Sequence, residues 1–221
     1  MIKPTALVAG ATGLIGSHLL DLLLASPTHE KVIALTRRPL DRTDDKLSNL
    51  VADFDQLEAA ISQSGIQVDE AYCALGTTIK KAGSKKAFRK VDYEYETAFA
   101  QAALAAGASK FALVSAVGAD PKSPIFYSRV KGETETAIRG LGFASTHIFQ
   151  PGVLLGHRDE SRPAEQLAAT LTPLLNLGLQ GPLRKYRGID AKTVAAAMIA
   201  ALHSDRPSAV YRYDAMVKAT R

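Results

Sequence analysis

The 221 residues are 47% hydrophobic and 22% charged, an ordinary balance for a folded globular protein that excludes a disordered or low-complexity chain. This length predicts a single domain. The net charge of +5 comes from basic residues that are scattered, apart from one run between Lys80 and Lys90. Because the chain has seven Phe, seven Tyr and no Trp, few aromatic rings accompany that charge, and we expect no nucleic-acid partner.

The single cysteine and the dispersed histidines exclude several other classes. Cys73 cannot form an internal disulfide, which fits a cytoplasmic location. The longest apolar helical pattern falls short of a membrane span, so no membrane partner is expected. We expect no metal site, because these residues show no metal-ligand spacing. In this interpretation His29 lies in a polar turn and His203 in a helix.

An apolar run, Ala6 to Ala9, leads into three glycines and then into a leucine-rich segment, which predicts strand, tight turn and helix. Gly10 would let the chain leave the strand, Gly13 would let the backbone approach a phosphate, and Gly16 would let the helix lie close to the sheet. The amides at the helix start, aided by the helix dipole, would bind a pyrophosphate. The alternative is a turn that contains glycine only for steric reasons.

The second predicted strand, residues 31–36, completes a right-handed βαβ unit and ends at Arg37 and Arg38. A site that prefers NAD usually has a carboxylate here, to hold the adenosine ribose. Two guanidinium groups instead suit a 2′-phosphate, so NADP(H) is favoured and NAD(H) is the alternative. The other reading is a basic loop end before Pro39.

Two further strands are predicted at residues 50–53 and 70–76. Asp53 would lie where the third strand opens toward the adenine, or would cap a helix that starts near Asp55. Gly76 and Thr77 follow the fourth strand, where small residues would let the backbone touch a cofactor. A long helix is then predicted over residues 87–106.

The fifth strand, residues 110–114, runs into Ser115, which we expect to face the ligand crevice of a parallel sheet. A turn residue before Gly118 is the alternative interpretation of this serine. Ser123 and Pro124 predict an N-cap and the first position of a helix that carries Tyr127 and Lys131.

The spacing of Tyr127 and Lys131, four residues, puts both side chains on one helix face. A surface pair without chemistry is the alternative. A sixth strand over residues 144–150 ends in Pro151, Gly152 and Val153.

Beyond this strand the alternation of strands and helices weakens. We predict a polar loop over residues 157–163, helices over 164–177 and 191–203 with a break at 180–182, and a strand-like end over 210–213. The prediction is thus one domain with a dinucleotide-binding core over about residues 1–152. Residues 153–221 would be a small appendage that covers the substrate.

The glycine turn, Ser115 and the Tyr127/Lys131 pair together resemble the short-chain dehydrogenase/reductase superfamily, in its extended or atypical branch. Within it the chain is similar to the Tat-interacting-protein-like oxidoreductase group. The stretches that carry this second likeness are Cys-Ala-Leu-Gly-Thr-Thr at 73–78, Val-Asp-Tyr at 91–93, Ser-Ala-Val-Gly-Ala-Asp at 115–120, the run from 151 to 163, and Arg-Gly-Ile-Asp at 187–190.

The resemblance implies a role for each matching position. Tyr127 would be the general acid or base, Lys131 would hold the nicotinamide ribose, and Ser115 would bond the substrate carbonyl. A nearby ammonium and an oxidised nicotinamide would favour the phenolate of Tyr127. Many relatives have an asparagine where this chain has Asp92, which puts a fourth catalytic role in doubt.

The predicted fold is therefore α/β, a Rossmann-type doubly wound parallel sheet. The expected function is NADP(H)-dependent hydride transfer to or from a small or medium carbonyl or alcohol. A non-catalytic NADP(H) sensor and an NAD(P)-dependent epimerase or dehydratase are the alternatives. A homo-oligomer is left open. The residues expected to touch the cofactor are Gly10, Thr12, Gly13, Leu14, Ile15, Gly16, Arg37, Arg38, Asp53, Leu75, Gly76, Thr77, Tyr127, Lys131, Pro151, Gly152 and Val153.

Overall fold

The structure is a computed structural model that describes residues 3–156 and 179–220. Its strands are β1 (Thr5–Ala9), β2 (Lys31–Thr36), β3 (Leu47–Val51), β4 (Glu70–Cys73), β5 (Lys110–Val114), β6 (Ser145–Phe149), β7 (Leu154–Leu155), β8 (Ile189–Asp190) and β9 (Ala209–Tyr211). Seven of them form one parallel sheet in the order β3-β2-β1-β4-β5-β6-β9, while β7 and β8 pair separately.

Helices cover both faces of this sheet. They are α1 (Leu14–Ala25), α2 (Leu57–Ser64), α3 (Ile79–Ala82), α4 (Lys85–Arg89), α5 (Glu96–Ala105), α6 (Phe126–Arg139), α7 (Ala191–Leu202) and α8 (Tyr213–Ala219). Along β1, Ala6 and Val8 pack with α1, α7 and α8, whereas Leu7 and Ala9 pack with α2 and α5. Because both faces are covered, the buried positions of the central strands β1, β4 and β5 are almost all apolar, and the predicted doubly wound fold is confirmed.

Several predicted boundaries are wrong. The third strand ends at Val51, because Asp53 accepts a hydrogen bond from the Asp55 amide and so starts a short 3₁₀ turn, Phe54–Gln56. The fourth strand ends at Cys73 rather than at Gly76.

The expected helix over residues 87–106 is α4 and α5 joined by a π-helical turn, Lys90–Tyr95. Ser123 is not an N-cap: α6 begins at Phe126 after Ile125, whose amide donates to the Ser123 hydroxyl within the preceding turn.

The C-terminal part differs more. The last strand, β9, ends at Tyr211 and extends the main sheet beside β6, and Tyr213 already begins α8. α7 also packs into the main core, so only part of residues 153–221 can form a separate cover. The predicted loop over 157–163 and helix over 164–177 lie outside the described residues. Within the described ranges, no helix has the length and apolar character that a membrane crossing requires.

Candidate functional site

The glycine turn between β1 and α1 has a geometry that only glycine fits. Gly10 has φ +85°, and a Cβ there would lie 2.4 Å from the Ala74 carbonyl oxygen. A Cβ on Gly16 would lie 1.9 Å from the Gly10 carbonyl oxygen, far inside contact distance. The turn is therefore packed directly against the residues that leave β4, and α1 is packed directly against the turn.

The start of α1 is open to a ligand. Its N-cap is Gly13, which has no side chain to accept hydrogen bonds from the first helical amides. Thr12, Gly13 and Gly76 are exposed, so a ligand can reach the turn. β1 lies between β2 and β4, the point at which the strand order reverses and a crevice opens in sheets of this kind. An anionic group fits this position.

Lys131 on α6 is buried beside the exit of β4. Its Nζ lies 2.7 Å from Asp92 Oδ1 and 2.8 Å from Glu96 Oε1. The other Asp92 oxygen accepts a hydrogen bond from the Thr77 amide at 2.9 Å. A Cβ on Gly76 would lie 3.8 Å from Lys131 Nζ. The glycine turn, the end of β4 and the lysine thus form one continuous set of contacts.

The π-helical turn explains why two carboxylates reach one ammonium. Asp92 lies inside the turn and Glu96 is the first residue of α5, and both side chains are fully buried toward Lys131. Single-turn π segments often occur at functional sites. Sequence reasoning missed Glu96, although its spacing of four residues from Asp92 was visible.

The charged groups of this cluster change the pKa values of their neighbours. Burial raises the pKa of Glu96 to about 8, with Lys131 opposing and Asp92 adding to the shift. Burial alone would lower the pKa of Lys131, but Glu96 and Asp92 outweigh it and raise that pKa above its ordinary range. Among the described residues, Glu96 Oε2 has no hydrogen-bond partner. A buried oxygen of this kind fits a hydroxyl or a water that comes with a ligand.

Tyr127 is half-buried, with its ring 5.3 Å from that of Phe88. Burial raises the pKa of Tyr127, and Lys131 only partly opposes this because Asp92 and Glu96 act in the opposite direction. In the protein without a nucleotide, the phenol of Tyr127 is therefore favoured over the phenolate, and the expected effect of an oxidised nicotinamide stays a prediction.

Ser115 follows β5 as expected, but its hydroxyl is already bonded within the protein. It is buried, and its hydroxyl donates to Glu135 Oε1 at 2.5 Å. Glu135 lies one turn beyond Lys131 on α6 and also accepts from Gln150 Nε2 at 2.8 Å. The position of α6 therefore brings the Glu135 carboxylate into hydrogen-bond contact with the serine that follows β5.

The remaining predicted cofactor residues lie around the same sheet edge. Arg37 and Arg38 are exposed, and neither guanidinium makes an ion pair within the described part of the chain. Asp53 is exposed and caps the 3₁₀ turn, which is the alternative interpretation given above. Ile15 is buried in the hydrophobic cluster on one face of the sheet, and Leu75 packs against the cluster on the other face.

The segment after β6 also returns to this edge. The Pro151 carbonyl accepts from the Val117 amide at 3.0 Å. A Cβ on Gly152 would lie 2.9 Å from the Tyr186 backbone, and Val153 is 57% exposed. A Cβ on Gly156 would lie 2.9 Å from Leu14 Cδ1, which places this segment beside the start of α1.

The model of a protein family described as NAD(P)H-binding matches residues 10–205 of the sequence. The chain belongs to the NAD(P)H-binding family. This NAD(P)H-binding protein is also similar to two curated relatives. Protein FMP52 of Candida albicans is 39% identical over 193 residues, which cover 85% of this chain and 84% of the relative. Protein HTATIP2 of Rattus norvegicus is 39% identical over 172 residues, which cover 76% and 70%.

Solved structures share the fold. A UDP-N-acetylglucosamine 4-epimerase from Methanobrevibacter ruminantium superposes with a TM-score of 0.71 at 17% identity, covering 96% of this chain and 77% of that one. The human epimerase family protein SDR39U1, solved with NADPH, gives 0.66 at 24% identity, covering 93% and 72%. The resemblance to atypical short-chain dehydrogenases/reductases is thereby confirmed.

The expected cytoplasmic location is wrong by this comparison. The FMP52 relatives from Candida albicans and Emericella nidulans are named mitochondrial proteins. A single unpaired cysteine indicates a reducing environment in general, and such an environment is not unique to one compartment.

Proposed function

We propose that this NAD(P)H-binding protein is an NADP(H)-dependent oxidoreductase that acts on a small or medium carbonyl or alcohol. The observation that carries the proposal is the contact chain from Gly10 through Ala74 and Gly76 to Lys131, on the helix that also carries Tyr127. A pyrophosphate at the start of α1 would direct the remaining half of a dinucleotide along this chain of contacts.

The cofactor would supply the hydride, and the protein residues would position it and move the proton. The α1 amides would hold the pyrophosphate, and Arg37 and Arg38 would bind the 2′-phosphate. Lys131 and the unpartnered Glu96 Oε2 would meet the nicotinamide ribose hydroxyls. Gly76 would let the backbone approach without a side chain.

Tyr127 would move the proton. Because its pKa is raised, the phenol is protonated at neutral pH and suits donation to a carbonyl oxygen during reduction. In the opposite direction the phenolate would need the positive charge of an oxidised nicotinamide in addition to Lys131.

Replacing Tyr127 with Phe tests this proposal. We expect kcat to fall by about 10²- to 10⁴-fold, the usual contribution of a general acid, with NADPH affinity nearly unchanged. The measurement is NADPH fluorescence against a panel of aldehydes and ketones. Tyr211→Phe is the matched control, because Tyr211 of β9 is buried and stacks on Phe149 of β6. Unchanged turnover by Tyr127→Phe would refute the assignment.

A second candidate is a sensor that binds NADP(H) and turns nothing over. The bond between Ser115 and Glu135 favours it, because that serine is not free to hold a substrate carbonyl. NADPH binding at physiological concentration, together with no oxidation across the whole carbonyl panel, would support the sensor. Reproducible oxidation of NADPH that depends on Tyr127 would exclude the sensor.

A further inference from the structure

Two histidines and a glutamate converge at the edge of the sheet opposite the glycine turn. His29 Nε2 contacts Glu70 Oε1, and His203 Nε2 lies 3.4 Å from that oxygen and 3.3 Å from Glu70 Oε2. The two imidazole rings stack with centroids 5.1 Å apart. One donor atom from each residue lies within 4.8 Å of those from the other two.

These donors come from three separate segments of the chain. His29 precedes β2, Glu70 is the first residue of β4, and His203 directly follows α7. His29 and Glu70 are 0% and 2% exposed, whereas the His203 side chain is 32% exposed. The cluster is thus closed by protein on the sheet side and open to solvent at His203.

Neighbouring groups orient the donors. Thr28 Oγ1 lies 3.3 Å from His29 Nδ1, which leaves Nε2 for the cluster. The buried Tyr72 hydroxyl donates to Glu70 Oε1 at 3.1 Å. Supporting hydrogen bonds to metal ligands are a regular feature of metal sites, because they fix the orientation of the ligands and the tautomer of a histidine.

We propose that His29, Glu70 and His203 bind a zinc ion, with water as the fourth ligand at the solvent-facing side. Two imidazole nitrogens and one carboxylate oxygen are a donor set that Zn²⁺ accepts in tetrahedral geometry. Two ligands of one such ion lie about 3.3 Å apart, close to the separation of His203 Nε2 from the Glu70 oxygens. Binding needs the His29–Glu70 contact to widen to this same separation.

The ion would be structural and independent of the proposed hydride transfer. β4 spans four residues, with the cluster at its first residue and the crevice beyond its last. A metal here would fasten the end of α7 to the starts of β2 and β4. The sequence pattern gave no sign of this site, because residues 29, 70 and 203 are far apart in the chain and meet only through the sheet.

The test uses tag-free, full-length protein that has been treated with a chelator. Zn²⁺ titration by calorimetry should show one site per chain, and Co²⁺ should give the intense visible absorption of a four-coordinate site with nitrogen ligands. We expect His203→Ala to weaken Zn²⁺ binding by more than the roughly 10- to 100-fold that loss of a supporting residue costs. Tyr72→Phe should fall within that smaller range.

Two controls keep the result decisive. His18→Ala removes a histidine of α1 outside the cluster and should bind Zn²⁺ like the wild type. If His203→Ala unfolds, His203→Gln replaces it, because this variant keeps a polar side chain at the end of α7. Circular dichroism should show that His203→Gln has the native fold. No stoichiometric Zn²⁺ binding by the wild type would overturn the proposal and leave a purely hydrogen-bonded cluster. A folded His203 variant that binds Zn²⁺ with the same affinity as the wild type would also overturn the proposal.

Discussion

At the scale of single residues, the unusual feature is one buried ammonium shared by two buried carboxylates. If both carboxylates were ionised, the cluster of Lys131, Asp92 and Glu96 would carry a net negative charge in a low-dielectric interior. A proton on Glu96 removes that charge, which is the physical sense of its raised pKa. The cluster is then neutral until a ligand arrives.

This proton makes stability depend on pH. The pKa of Glu96 is about 8 in the folded protein, against an ordinary value of 4.5. Between these values the folded state holds a proton that the unfolded state has released, so the free energy of unfolding should decrease as pH rises from 4.5 to 8. The decrease should be on the order of 1 kcal/mol per pH unit at most.

Urea unfolding of the wild type and of Glu96→Gln between about pH 5 and pH 9 measures this effect. The variant should lose most of the decrease. Glu94→Gln, an exposed neighbour in the π-helical turn, should behave like the wild type. Parallel pH profiles for wild type and Glu96→Gln would contradict the assigned proton.

We propose that single residues also set the preference for NADPH over NADH. Arg37 and Arg38 are exposed at the end of β2 and free of ion pairs among the described residues. Hydrogen bonds to a charged group contribute about 1.5–3 kcal/mol, so replacing both arginines with Ala should weaken NADPH binding by about tenfold or more and leave NADH affinity nearly unchanged. Fluorescence titration measures both constants. If the wild type binds NADPH and NADH equally well, the proposed preference for NADPH is wrong.

At the scale of elements, close packing makes the glycine turn a rigid platform. In an ordinary helix interior, Gly→Ala stabilises by roughly 0.5–1 kcal/mol. At Gly16 the added Cβ would lie 1.9 Å from the Gly10 carbonyl oxygen, so α1 or the turn must move. We therefore expect Gly16→Ala to destabilise the fold by roughly 1–3 kcal/mol, the usual cost of overpacking, and to abolish tight NADPH binding.

Gly140→Ala is the matched control for this change. Gly140 follows α6 with an ordinary negative φ of −75°, and its Cβ would meet the Ala137 carbonyl oxygen at 3.4 Å. Its effect should stay within about 0.5 kcal/mol, with normal nucleotide binding. Chemical unfolding and NADPH titration of both variants provide the comparison. Native-like behaviour of Gly16→Ala would show that the turn is more adaptable than the packing indicates.

The sequence predicted those elements whose signals are local. Apolar runs followed by glycine located the strands, and the four-residue spacing put Tyr127 and Lys131 on one helix. The π-helical turn was missed, because its residues also suit an ordinary helix. The hydrogen bond between Ser115 and Glu135 could not be predicted, because nothing in the chain shows that α6 brings Glu135 within reach of this serine. Glu96 was missed because the partner of a helical carboxylate depends on which helices pack together.

At the scale of the whole molecule, the strand order brings distant segments to one edge. β1, β4 and β5 are neighbours in the sheet, so the residues that follow them meet although about half of the chain separates Gly10 from Ser115. The opposite edge similarly gathers His29, Glu70 and His203. β9 could not be placed from its short apolar pattern alone, because only pairing with β6 distinguishes it from a loop.

The central claim is that Tyr127 and Lys131 lie beside the nicotinamide of a bound NADPH. A crystal structure of the complex tests it most directly. We predict the pyrophosphate on the α1 amides, Lys131 Nζ in hydrogen-bond contact with the ribose, and space for a carbonyl oxygen about 3 Å from the Tyr127 hydroxyl. A nicotinamide bound away from both side chains, with Lys131 still enclosed by Asp92 and Glu96 alone, would contradict the account.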